Sequence, residues 1–182
     1  MVITIDGLSA NGKSSLAKII SDSIKFKYFN TGAIYRCIAL HIIENRLRIE
    51  EIDRIIPIIS KLKIDFENDK IYLNNIDVTN RIKTEEISIY SNKWATIPAI
   101  KEVVRKIQKE FIKENNTIME GRDIGTRIAP NADLKFYLYS EFETRVNRLF
   151  NMKKCIDINE IRKNLKEIDD VDINGGNFVK PQ

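Results

Sequence analysis

The chain opens Met1-Val2-Ile3-Thr4-Ile5-Asp6 and runs straight into Gly7-Leu8-Ser9-Ala10-Asn11-Gly12-Lys13-Ser14-Ser15. The segment from Gly7 to Ser14 fits G-x-x-x-x-G-K-[ST], a loop whose backbone N–H groups form a nest for phosphate oxygens. It is preceded by an apolar run at 2–5 that reads as a buried strand. It is followed by 14–25, which reads as a helix with Leu16, Ile19, Ile20 and Ile24 near one face. Strand, glycine loop and helix in that order are the context such a loop requires, and the helix adds its positive N-terminal end. Gly7 to Ser15 are expected to hold the phosphates of a nucleotide, with Lys13 reaching the β- and γ-phosphates and Ser14 on Mg²⁺. The bland alternative is a glycine turn with a chance Lys-Ser.

Outward from this loop, short apolar strands alternate with helices. Tyr28-Phe29 reads as a strand, 33–46 as a helix with Thr31 as its cap, and 51–62 as a helix kinked at Pro57. The texture changes at Lys63–Glu67 and Lys70–Leu73, which alternate polar and apolar about Asn68-Asp69 and predict a β-hairpin, with 76–78 as a third strand. Helices are predicted at 84–96 and 98–114, the latter with Pro98 in first position, strands at 117–120 and 134–138, and helices at 141–152 and 157–170. The tail from Asn174 to Gln182 reads as a loop. The fold class is therefore α/β: a parallel sheet with helices on both faces, interrupted by a small β-rich insert. In such sheets ligands lie beyond the carboxyl ends of the strands. The residues there are Gly7 to Ser15, Asn30 to Arg36 and Glu120 to Asp123.

Composition narrows the class further. At 182 residues, 43% apolar and 31% charged, one globular domain is expected. The net charge of +4 is spread along the chain with no basic stripe interleaved with aromatics, so a nucleic-acid partner is not expected. Cys37 and Cys155 lack metal-ligand spacing and read as free thiols in a reducing compartment. His41, within an apolar helical stretch, reads as a packing residue. No apolar run is long enough to span a membrane and no targeting segment precedes the loop, so a cytoplasmic protein is expected.

Two further clusters carry chemistry. In Asn30-Thr31-Gly32-Ala33-Ile34-Tyr35-Arg36, an arginine on the first helical turns beside the strand ends is placed to fork onto a phosphate. In Glu120-Gly121-Arg122-Asp123, Glu120 at a buried strand end is suited to orient Mg²⁺ through water. Arg122 supplies a second fork and Asp123 an acceptor for a base amino group. The alternative is a turn with a structural Arg–Asp pair.

At this point the sequence resembles the bacterial cytidylate kinases, of the nucleoside monophosphate kinase family and the P-loop fold. The resemblance is carried by ITIDGLSANGKSSLAK, FNTGAIYRCIAL, DVTNRIKTEEIS and EGRDIGTRIAPNADLKFYL, from residue 2 to about 148. It implies ATP on Gly7 to Ser15 with Mg²⁺, and the acceptor nucleotide around Thr31, Tyr35, Arg36 and Arg122. It implies Asp123 on the cytosine amino group, Asn92 where a serine is usual, Lys101 where a base-contacting arginine is usual, and Asp172 on the ribose. It implies a monophosphate-binding insert at about 63–97 and a helical lid at about 148–175, both within a single domain over 1–182. Arg145 and Arg148 lie in the lid segment and Arg148 matches a lid arginine, whereas Ile168, Val171 and Gly175 stand where the pattern has Arg. The family's last strand and helix have no counterpart here. The implied reaction moves the ATP γ-phosphoryl group to CMP or dCMP in a monomer, with Lys13, Arg36, Arg122 and Arg148 spreading the charge. Two alternatives stand beside it: a nucleotide-binding protein with little transfer, and a kinase of another small-molecule acceptor.

Overall fold

The computed structural model describes residues 1–67, 70–114, 116–152 and 157–174. The hairpin turn at Asn68-Asp69, Cys155, Gly175 and the tail beyond Asn174 lie outside the described residues. The chain forms two compact units, Met1–Tyr28 with Asn116–Gln182, and Phe29–Asn115.

The first unit is built on β1 (Val2–Asp6), which pairs in parallel with both β6 (Thr117–Gly121) and β7 (Leu134–Tyr137). The four-stranded sheet has the order β2-β6-β1-β7, and the chain passes from the first unit to the second within β2 (Lys27–Asn30). Alternate residues of a strand share one face. Ile3, Ile5 and Ile118 accordingly form a core with Ala17, packed by Ile20, Phe26, Tyr28 and Leu138. Helix α1 (Lys13–Ile24) follows the glycine loop. Helices α6 (Phe142–Met152) and α7 (Ile158–Asn174) pack through Val146, Ile161 and Leu165. The observed fold is α/β, a parallel sheet flanked by helices.

The apolar face of α1 looks largely outward. Leu16, Ile19 and Ile24 are exposed, Ile20 is half-buried, and the inward face is Lys13, Ala17 and Ser21. The loop delivers Lys13 inward, and the helical period then carries positions four and eight residues on to the same side. Their small side chains allow the helix to approach the sheet closely. Helix α7 also runs to Asn174 rather than 170, which places Asp172 on helix.

In the second unit, α2 (Thr31–Glu44) packs against α3 (Ile52–Ile59), α4 (Glu85–Trp94) and α5 (Pro98–Glu114). The predicted hairpin is present as β3 (Ile64–Glu67) and β4 (Lys70–Leu73), antiparallel, with β5 (Ile76–Asp77) completing a three-stranded sheet. Phe29, Phe66 and Phe111 form an aromatic cluster with centroid separations of 4.4–5.9 Å. The cap of α2 is Asn30, whose side chain accepts from the Ala33 N–H, not Thr31. Thr31 is the first helical residue, and its hydroxyl accepts from Gln108 Nε2 at 3.0 Å. Cys37 is a fully buried free thiol whose pKa burial pushes up to about 12, and His41 packs on α2 with burial lowering its pKa.

Candidate active site

Two glycines shape the loop. Gly7 has φ +152°, and a Cβ there would lie 2.3 Å from the Leu138 carbonyl oxygen. That position therefore excludes any side chain. Gly12, at φ +90°, is the left-handed residue that launches α1. Between them Ala10 also adopts a left-handed φ of +59°, uncommon for a residue with a Cβ. Asn11 ties the loop to the end of β7 by donating from Nδ2 to the Leu138 carbonyl at 2.5 Å.

Cations gather on this loop. Lys13 Nζ donates to the Leu8 carbonyl at 2.7 Å. Burial, with the Arg122 charge as the next cause, lowers its pKa from 10.5 to about 8. Arg122, at the turn after β6, donates from Nη2 to Ser9 Oγ at 2.7 Å and from Nε to Asp172 Oδ2 at 2.6 Å. The carboxylate of its neighbour Asp123 lies 3.5 Å from Arg127. Arg148, exposed on α6, donates to the Asn11 carbonyl at 3.0 Å and to Ser140 Oγ at 3.0 Å. Ser14 Oγ donates to Glu120 Oε1 at 3.0 Å. A hydroxyl and a carboxylate side by side at the foot of an anion nest are hard oxygen donors, and they fit Mg²⁺ held partly through water.

The structure adds two side chains that the sequence did not single out, Asp6 and Asp169, and gives Arg145 its partner. Asp6 accepts from the N–H groups of Ile124 (2.9 Å) and Gly125 (2.7 Å), in the π-helical turn Ile124–Ile128 that follows Arg122-Asp123. Its carboxyl pKa is raised, chiefly by burial. This carboxylate anchors the segment carrying Arg122 to the strand that feeds the loop. Its signal in the sequence is an acid at the last position of a strand with no other charged residue. Arg145 and Asp169 form a buried bidentate pair, 2.9 and 2.6 Å, and Arg145 Nη1 also donates to the Ser9 carbonyl at 3.1 Å. Arg145 was visible in the sequence as an arginine in the lid segment, but its partner was not.

The first unit thus brings together Gly7 to Ser15, Glu120, Arg122, Arg148 and Asp172, and its turn carries Asp123. In the second unit, Thr31, Tyr35 and Arg36 lie half-buried on the first turns of α2, Asn92 is exposed on α4, and Lys101 is half-buried on α5.

Comparison with known proteins adds the following. The family model for cytidylate kinase matches residues 3–176. A protein named cytidylate kinase from Fusobacterium nucleatum subsp. nucleatum is 35% identical over 176 residues, covering 94% of this chain and 81% of that protein. One of the same name from Mycoplasma genitalium is 38% identical over 178 residues, covering 93% and 79%. Another, from Thermosipho melanesiensis, is 37% identical over 159 residues, covering 86% and 72%.

Proposed function

This chain belongs to the cytidylate kinase family, and from that premise we propose that it transfers the γ-phosphoryl group of ATP to CMP or dCMP, giving ADP and CDP or dCDP. The observation that carries the reading is Arg122, in the segment after β6, joined directly to Ser9 of the phosphate loop. An oxygen of the acceptor monophosphate attacks the γ-phosphorus in line and the β–γ bridge breaks, so no protein nucleophile is required. The protein's part is positioning and charge neutralisation.

In this reading the N–H groups of Gly7 to Ser15 hold the donor phosphates, and Lys13, Arg36, Arg122 and Arg148 neutralise charge on the group in transit. Thr31, Tyr35, Arg36 and Arg122 hold the acceptor phosphate and base. Asn92, Lys101 and Asp123 read the cytosine, and Asp172 takes the ribose. Ser14 and, through water, Glu120 would hold Mg²⁺, which when bound neutralises phosphate charge. Residues 148–175 close over the donor and exclude water. The protein works as a cytoplasmic monomer on nucleotides. Among the described residues no helix is long and apolar enough to cross a membrane.

An ADP-release assay with ATP and a panel of monophosphates tests this. CMP and dCMP are expected to give release well above UMP and AMP, and equal or absent release with all four overturns it. One observation favours a second reading, nucleotide binding with little transfer. Ile168 and Val171 are exposed apolar residues of α7 at two positions where the family resemblance has arginine. Tight ATP and CMP binding with no CMP-dependent ADP release would select it.

A further inference from the structure

Arg145 on α6 and Asp169 on α7 are 4% and 7% exposed. The guanidinium meets the carboxylate with both Nη atoms, and its face lies 5.4 Å from the centroid of Phe142. Stability alone does not account for such a pair, because burying an ion pair costs desolvation and apolar residues of similar volume commonly do as well. This one is also incompletely satisfied: Arg145 Nε is buried with no hydrogen-bond partner among the described residues. What distinguishes it is the third contact, from Nη1 to the main-chain oxygen of Ser9.

That oxygen belongs to the peptide unit shared with Ala10. A trans peptide is planar, so holding the Ser9 carbonyl at one side turns the Ala10 N–H to the opposite side. Ala10 sits at φ +59°, where a Cβ is disfavoured. The easiest relaxation of that residue is rotation of the same peptide plane, which would turn the N–H away. Resting on the reading of this loop as the donor-phosphate site, we infer that Arg145 and Asp169 are a positioning pair that locks the Ser9–Ala10 peptide so that the Ala10 N–H faces the ATP phosphates. Asp169 acts through Arg145. Its two oxygens set the plane of the guanidinium fork, and the fork sets the plane of the peptide. Neither side chain needs to touch the nucleotide.

The test is calorimetric titration of the full chain with ATP and, separately, with CMP, for wild type, Arg145→Lys and Asp169→Asn, each with its melting temperature. Lysine keeps the buried charge but lacks a fork able to hold carboxylate and carbonyl together. Both variants are expected to bind ATP about tenfold more weakly, the effect of losing one charge-assisted hydrogen bond, with CMP affinity unchanged. Ala10→Gly removes the penalty on the left-handed backbone. Added to Asp169→Asn it is expected to restore about threefold of the lost ATP affinity. A merely structural pair would show no such rescue. Arg145→Lys carries the test at the assay temperature whatever Asp169→Asn does to the melt. Folded variants that bind ATP like wild type overturn the inference, as does an equal loss of ATP and CMP binding without rescue by glycine. Wild type that binds ATP, loses that binding in the variants and transfers nothing to CMP supports the pair while overturning the acceptor assignment.

Discussion

The two compact units bury different kinds of residue. In the first, Asp6, Lys13, Glu120, Arg145 and Asp169 are all 7% exposed or less. In the second, the buried polar side chains among the described residues are Ser91 and Gln108, neither of them charged, and the interior is filled by Phe29, Phe66, Phe111 and aliphatic residues. Burying charge costs several kcal/mol per ion before any partner offsets it, whereas burying a phenylalanine is favourable outright. The difference teaches that the first unit spends stability on holding cations in place, and that the second is built for packing. A mutation should therefore be read by which unit it strikes.

The largest separation is expected at Lys13. Lys13→Ala should lower kcat/KM by about a thousandfold, as loss of a principal electrostatic group at a phosphoryl centre does. The melting temperature should hold or rise, because a desolvated ammonium has been removed. A coupled ADP-release assay beside a thermal melt reads both, and a variant that unfolds while the survivors turn over normally breaks the comparison. Phe66→Ala is the mirror experiment. Its ring lies 4.8 Å from that of Phe29 and 5.9 Å from that of Phe111, and truncation is expected to cost about 3–5 kcal/mol by urea unfolding. ATP affinity, measured on the fraction that remains folded, should be untouched.

A smaller effect sharpens the site itself. Asp123→Ala is expected to reduce the preference for CMP over UMP about tenfold in kcat/KM, with ATP affinity unchanged, since a lost hydrogen bond to a base amino group is worth that much. Unchanged discrimination would remove Asp123 from the base site. The smallest concerns pH. Folded Lys13 titrates at about 8 rather than 10.5. Between those values the folded chain binds fewer protons than the unfolded one, so this residue's contribution to stability rises as pH climbs from about 8 to about 10.5. Nucleotide binding responds oppositely, because phosphate requires the charged amine. ATP affinity should fall about fivefold from pH 8 to pH 9. A flat profile there would mean that the amine keeps its ordinary value.

The donor side was legible in the sequence because its restraints are local. Gly7, Gly12, Lys13 and Ser14 sit at spacings that only one kind of turn explains, and the strands, the hairpin and the helix beginning at Pro98 follow from short-range patterns. Misreadings arose where a tertiary restraint overrode the local pattern. Apolar periodicity groups Leu16 and Ile19 near one face of α1, but the loop commits Lys13, and not that face, to the inward side. Asn30 and Thr31 are adjacent and both competent to cap; Asn30 takes the Ala33 N–H, while the Thr31 hydroxyl accepts from Gln108. Arg145 and Asp169 lie 24 positions apart on different helices, a separation that no motif spans. The anchoring of the Arg122 turn by Asp6 crosses 118 positions and is equally invisible to spacing.

The carbonyl of Leu138 both fills the space a side chain on Gly7 would need and accepts the amide of Asn11. Because that support is made by a main-chain atom, residue 138 can drift among apolar types over evolutionary time without disturbing it. Residues 7 and 11, which meet the same atom through a missing or a specific side chain, cannot. Mutational tolerance at this corner is thus expected to be lopsided: permissive on the strand end that supports the loop, and unforgiving on the loop that rests on it.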